Sequence, residues 1–79
     1  MIRLFVSNNC KGCHEIEKFF EKNKVAYDKR NIDEDFIAKE YLQLKGIRSV
    51  PALEIDYKEW IIGYSRRKLE ELLKRREKR

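Results

Sequence analysis

The sequence predicts an α/β fold, a four-stranded mixed sheet flanked by three helices in the order β-α-β-α-β-β-α. Three observations lead there. In the first half, apolar runs of strand length alternate with stretches of helical periodicity. That is the pattern of a β-α-β unit, whose parallel strands are joined by a right-handed crossover. In the second half, two short apolar runs flank Asp56-Tyr57-Lys58 and read as a hairpin, with one more helical pattern behind it. Between the first strand and the first helix stands a Cys-x-x-Cys pair, Cys10 and Cys13, a spacing that in a β-α-β setting points to dithiol redox chemistry.

Ile2-Arg3-Leu4-Phe5-Val6 is rich in β-branched and aromatic residues, as a mostly buried strand requires. Ser7, Asn8 and Asn9 break the pattern with short polar side chains that favour turns and helix starts. From Lys11 to about Asn23, the residues Cys13, Ile16, Phe19 and Phe20 form one helical stripe, opposite Glu15, Glu17, Lys18, Glu21 and Lys22. Val25 to Ile32 reads as a second strand with Val25 and Tyr27 on one face. Asp33-Glu34-Asp35 puts negative charge where the next helix begins, favourably placed against its dipole. Phe36, Ile37, Tyr41, Leu42 and Leu44 are the expected apolar side of that helix, and Gly46 its C-terminal cap. Pro51, which cannot donate to a ladder, sets the start of the strand Ala52-Leu53-Glu54-Ile55. Glu59-Trp60-Ile61-Ile62 returns as the last strand and Gly63-Tyr64-Ser65 ends it. Ser65 is placed to cap a final helix with Leu69, Leu72 and Leu73 as its buried stripe, and the polar run Lys74 to Arg79 is expected to fray.

Seventy-nine residues suit one domain spanning 1–79, with a charged end from about residue 74. Hydrophobic and charged residues each make up 42%, a balance that argues against both a disordered and a membrane-embedded chain. The N-terminal segment is too short and too soon polar for a signal peptide, so a cytoplasmic location is expected. In that reducing compartment a cysteine pair serves catalysis or metal binding rather than a structural bridge. The net charge of +5 comes entirely from residues 66–79, which hold eight basic and three acidic side chains. The basic character therefore belongs to the C-terminal segment, not to the body of the fold.

Disulfide exchange runs through the thiolate, so a reactive cysteine needs a lowered pKa. Cys10, where the helix starts, faces unpaired backbone N–H groups and the positive end of the dipole, with Lys11 adding positive charge. Cys13 lies one turn inside, on the face of Ile16 and Phe20, and is more shielded. This asymmetry makes Cys10 the attacking thiol and Cys13 the resolving one. Two other readings use the same residues. Cys10-Lys11-Gly12-Cys13-His14 fits the pattern for covalent haem attachment, but the chain has no second histidine, and its only methionine is Met1. Zinc needs four ligands, and only Cys10, Cys13 and His14 are at hand unless a dimer shares the site; no metal is expected. His14 is either a solvent-facing helical residue or a group that tunes the thiolate. A different class of function, a redox-silent binding module, would use the basic C-terminal segment on nucleic acid or an acidic partner.

Four stretches carry a family resemblance: Asn9-Cys10-Lys11-Gly12-Cys13-His14, Gly46-Ile47-Arg48-Ser49-Val50-Pro51, Trp60, and Gly63-Tyr64 ahead of the final helix. On these the chain resembles the glutaredoxins, of the thioredoxin superfamily, over nearly its whole length, and is most similar to the NrdH-redoxins that pass electrons to ribonucleotide reductase. The resemblance implies the thioredoxin fold and a dithiol–disulfide oxidoreductase serving electron transport and cell redox homeostasis. It implies Pro51 as a cis-proline facing the cysteines, and Val50 with its backbone free to pair with substrate. Gly63 would mark the turn beside the groove and Tyr64 would line it. Glutathione-using members usually carry a Cys-Pro-Tyr-Cys site, a basic residue before it and acidic residues opening the last helix. Here Ser7 stands near the first position, and Arg66-Arg67 occupy the last, where a cation repels the glutathione amino group. The resemblance with these departures implies no bound cofactor beyond the Cys10–Cys13 disulfide. A thioredoxin-reductase-type partner with NADPH is then the reductant in preference to glutathione, and protein disulfides are the substrates. No membrane or nucleic-acid partner is expected, and a monomer is.

Overall fold

Alternation along the first strand divides the core in two. The structure, a computed structural model, describes residues 1–77. Its elements are β1 (Ile2–Val6), α1 (Lys11–Lys22), β2 (Asp28–Asn31), α2 (Phe36–Leu44), β3 (Ala52–Ile55), β4 (Glu59–Ile62) and α3 (Arg66–Glu77). The sheet order is β2-β1-β3-β4, with β1 parallel to β2 and antiparallel to β3, and β3 antiparallel to β4. Successive side chains of a strand point to opposite faces. Ile2, Leu4 and Val6 therefore join Leu53, Ile55 and Ile61 beneath Cys13, Ile16 and Phe20 of α1 and Leu69 and Leu72 of α3. On the other face Phe5 and Ala52 meet Ala38 and Leu42 of α2, with Trp60 and Tyr41 packed at the margin.

The helix ends follow from local chemistry. Asp35 caps α2, its carboxylate accepting the Ala38 N–H at 3.1 Å. At the other end the Gly46 N–H donates to the Gln43 carbonyl at 3.0 Å and the Ile47 N–H to the Leu42 carbonyl at 2.9 Å, a Schellman motif with Gly46 at φ 74°. Helix α1 ends the same way: the Lys24 N–H donates to Glu21 at 3.3 Å and the Val25 N–H to Phe20 at 2.9 Å, and a lysine sits at φ 55°. The Ser65 hydroxyl accepts from the Lys68 N–H at 3.4 Å at the start of α3.

Two expectations are corrected. The second strand is shorter than Val25–Ile32: pairing with β1 begins at Asp28, and Val25 and Tyr27 pack against the core with Phe20 of α1, the Tyr27 ring 5.0 Å from that of Phe20. The buried side of α2 is Ala38 and Leu42, whereas Phe36, Ile37 and Leu44 are 70%, 77% and 86% exposed. The last helix runs past the Leu69, Leu72 and Leu73 stripe to Glu77, with the Arg75 guanidinium seated on both oxygens of Glu59 at 3.1 and 3.2 Å. Residues 78 and 79, the rest of the run expected to fray, lie outside the described residues.

Candidate active site

β1 delivers the chain to the sheet's end, and a polar lattice fixes the loop that follows. The Asn8 N–H donates to the Asp33 carboxylate at 2.8 Å, Asn31 Nδ2 to Asn8 Oδ1 at 2.9 Å, and the Asp33 N–H to Asn31 Oδ1 at 2.9 Å. The loop before the cysteines is thereby tied to the β2–α2 loop. Cys10 is the N-cap of α1, with extended backbone at φ −133° and ψ 101°. Its sulfur accepts the Cys13 N–H at 3.1 Å, so it takes up one of the amide groups that a helix start leaves unpaired. Cys10 and Cys13 are joined in a disulfide. Both are buried, Cys10 at 7% exposure and Cys13 at 1%. The more exposed of the two cysteines is also the one at the helix terminus, where negative charge is favoured.

The Val50–Pro51 bond is cis. Pro51 packs directly on the motif: a Cβ added to Gly12 would lie 3.2 Å from Pro51 Cδ and 3.3 Å from Tyr64 Cβ. Glycine at position 12 is what lets the proline and the tyrosine close over the first turn of α1. The Gly63 N–H donates to the Pro51 carbonyl at 2.8 Å, so the end of β4 is bonded to the same proline. Gly63 has φ 81°, a left-handed backbone suited to glycine. Tyr64 is 44% exposed beside it. The fold thus brings Cys10, Gly12, Cys13, Val50, Pro51, Gly63 and Tyr64 into one place from three separate stretches. Lys11 and His14 sit exposed in the first turn of α1, and no side-chain hydrogen bond or ion pair among the described residues joins either to the sulfurs. The contact of Gly12 with Pro51 and Tyr64 was not visible in the sequence, because it forms between segments far apart along the chain.

Beside Val50 a cleft opens between α2 and the Gly46–Val50 loop, lined in part by Lys39, Gln43 and Arg48. Among the described residues no group of three or more His, Cys, Asp or Glu side chains is placed to hold a metal ion. No helix among them is long and apolar enough to cross a membrane.

Residues 2–60 match the family model for glutaredoxin. The chain is 36% identical over 74 residues to the gene 56 protein of Mycobacterium phage D29, covering 91% of this chain and 81% of that one. It is 30% identical over 56 residues to the glutaredoxin-like protein NrdH of Lactococcus lactis, covering 71% and 78%. Among solved structures, the thioredoxin-like protein BC3987 superposes with a TM-score of 0.83 at 27% identity, covering 91% of this chain and 99% of that one. The NrdH-redoxin of Escherichia coli, at 24% identity, superposes with a TM-score of 0.79 over 90% and 92% and shares the fold.

Proposed function

The chain belongs to the glutaredoxin family, has the thioredoxin fold and is a thiol–disulfide oxidoreductase; from that premise we propose that Cys10 attacks and Cys13 resolves. In the reduced protein, the Cys10 thiolate attacks one sulfur of a substrate disulfide. A mixed disulfide forms and the other substrate sulfur leaves as a thiolate. The Cys13 thiolate then attacks Cys10, closing the Cys10–Cys13 disulfide and releasing the second substrate thiolate. Two electrons have passed to the substrate, and an external reductant restores the dithiol. The observation that carries this reading is the Cys13 N–H directed at Cys10 Sγ. Once the bridge opens, the same amide faces the sulfur that must hold negative charge. Val50, Pro51, Gly63 and Tyr64 are proposed to receive the substrate: among the described residues the Val50 N–H and carbonyl have no hydrogen-bond partner, so an extended chain can pair there. Lys11 adds positive charge next to Cys10 and favours its thiolate.

We infer protein disulfides as substrates, with ribonucleotide reductase as a specific candidate, supported by the likeness to the Lactococcus NrdH protein. The proposed reductant is a thioredoxin-reductase-type enzyme with NADPH, because Arg66 and Arg67 open α3 and a cation there repels the glutathione amino group. The reducing cytoplasm is the compartment such a carrier needs. A second reading has its own support. Lys39 and Arg48 line the cleft beside Val50 and have no carboxylate partner among the described residues, which suits a carboxylate of glutathione. The deciding test supplies the oxidised protein with NADPH and thioredoxin reductase, and separately with NADPH, glutathione reductase and glutathione. Turnover in the first system alone is expected, and turnover in the second alone reverses the choice of reductant. Reduction of insulin disulfides should vanish in Cys10→Ser, while Cys13→Ser should accumulate mixed disulfides. Full activity in Cys10→Ser would remove the assignment of the nucleophile.

A further inference from the structure

The thiol chemistry leaves two features of the molecule unused, the open edge of the sheet and the basic face of α3, and they adjoin. The sheet has two edges, β2 and β4. β2 is Asp28-Lys29-Arg30-Asn31, a charged strand of the kind that discourages pairing with another chain. β4 is Glu59-Trp60-Ile61-Ile62, and carries no such guard beyond its first residue.

The hydrogen-bond parity of β4 follows from one bond. Gly63 donates to Pro51, so in the antiparallel register Leu53 and Ile61 form the next hydrogen-bonded pair, and Ile55 and Glu59 the one after. Trp60 and Ile62 therefore turn their N–H and carbonyl groups outward, where no neighbouring strand among the described residues receives them. Along this edge runs a groove of ≈ 460 Å³ lined by Glu59, Trp60 and Ile61 on one side and Lys68, Glu71, Lys74 and Arg75 on the other. Its two carboxylates are already engaged, Glu59 by Arg75 at 3.1 Å and Glu71 by Arg67 at 3.5 Å. The ammonium groups of Lys68 and Lys74 have no carboxylate partner among the described residues.

We propose that the β4 edge and the Lys68–Lys74 face of α3 together form a docking site for an extended acidic segment of a partner protein, which adds to the sheet as a strand beside β4. The backbone of Trp60 and Ile62 supplies the pairing, and the lysines select acidic side chains. A second copy of this chain is the poorer occupant: pairing β4 with its own copy sets two lysine-bearing α3 faces side by side, like charge against like. The site leads somewhere useful, since β4 ends at Gly63 and Tyr64 against Gly12. A strand held on β4 reaches the rim of the Cys10–Cys13 site. Docking itself needs no thiol.

The test uses a short peptide of alternating glutamate and valine, its lysine–valine counterpart as control, and the full chain labelled for amide NMR. Saturable shifts centred on the Trp60 and Ile62 amides are expected with the acidic peptide alone, weakening as salt is raised. Trp60 is the only tryptophan, so its fluorescence reads the same event. Ile62→Pro removes an outward N–H without touching the β3–β4 ladder, and should weaken binding about tenfold. The double variant Lys68→Glu, Lys74→Glu should do the same and leave basal insulin reduction unchanged. Cys10→Ser should bind like the parent, which separates this site from the redox assignment. Equal binding of the lysine peptide would overturn the proposal, as would undiminished binding by folded Ile62→Pro. Shifts at Trp60 and Ile62 that track protein concentration without peptide would assign the edge to a second copy instead.

Discussion

At Gly12 two opposing effects can be weighed. Alanine in a helix interior is favoured over glycine by about 0.5–1 kcal/mol. Against that, a Cβ at this position meets Pro51 Cδ at 3.2 Å and Tyr64 Cβ at 3.3 Å. Neither is the loose end of a flexible side chain, since one belongs to a ring and the other is bonded to backbone. Overpacking of this kind costs roughly 1–3 kcal/mol, so crowding wins. Gly12→Ala is therefore expected to lower stability by about 1 kcal/mol in urea unfolding. Insulin reduction should slow several-fold, because Pro51 and Tyr64 are pushed away from the turn that carries the two cysteines. A gain in stability equal to the full propensity difference would show that the wall yields freely. The cysteines were legible in the sequence because their chemistry depends on spacing, whereas the residue type of Pro51 marked only the start of a strand and its place facing the cysteines came from the family resemblance. The crowding at Gly12 was not legible, since it exists only once β3 and the segment after β4 are folded against α1.

At the scale of elements, the two Schellman ends offer a matched pair of tests. Gly46 at φ 74° has nothing within 4 Å of an added Cβ, so only backbone conformation opposes a side chain there. A left-handed residue with a Cβ costs roughly 1–2 kcal/mol. Gly46→Ala should thus lose about 1 kcal/mol. Lys24 already bears that strain at φ 55°. Lys24→Gly should gain about 0.5–1 kcal/mol, part of the relief being returned as chain entropy of the unfolded glycine. Denaturant midpoints with unchanged slopes would report both, and a destabilised Lys24→Gly would refute the strain argument. Gly46 was readable as a cap because glycine advertises the left-handed turn; Lys24 performs the same geometry without any signal. The same limit explains β2 and α2. Alternation marked Val25 and Tyr27 as strand, yet the parallel pairing with β1 begins only at Asp28, opposite Arg3. Hydrophobicity marked Phe36, Ile37 and Leu44 as the inner side of α2, yet the sheet face beneath it admits the small Ala38 beside Leu42.

Across the whole molecule the two faces of the sheet differ in kind. Among the described residues the buried core under α1 and α3 is wholly apolar, whereas the α2 face carries Glu54, 2% exposed, in the middle of β3. Its carboxylate accepts the Tyr41 hydroxyl and lies 3.4 Å from the Arg3 guanidinium, which also stands over the Tyr41 ring. The three residues come from β1, α2 and β3, so no local pattern announces their meeting. Hydrogen bonding to Glu54, and then burial, raise the Tyr41 hydroxyl above its ordinary value of 10.0. Burial foremost raises Tyr27, and the bond to Glu17 at 3.0 Å raises Lys29. Each of these groups holds its proton more tightly folded than unfolded. Their contribution is therefore complete below about pH 10 and is lost as pH climbs through the raised values, with a slope of at most about 1.4 kcal/mol per pH unit for each proton. Tyr41→Phe removes one such proton and also deprives a buried carboxylate of a donor. The variant should be less stable at pH 7 by about 1–3 kcal/mol, and its stability should decline less steeply than the parent's above pH 10. Unfolding followed from pH 7 to 11 reads both effects; an alkaline slope as steep as the parent's would show that the Tyr41 proton is not held by the fold.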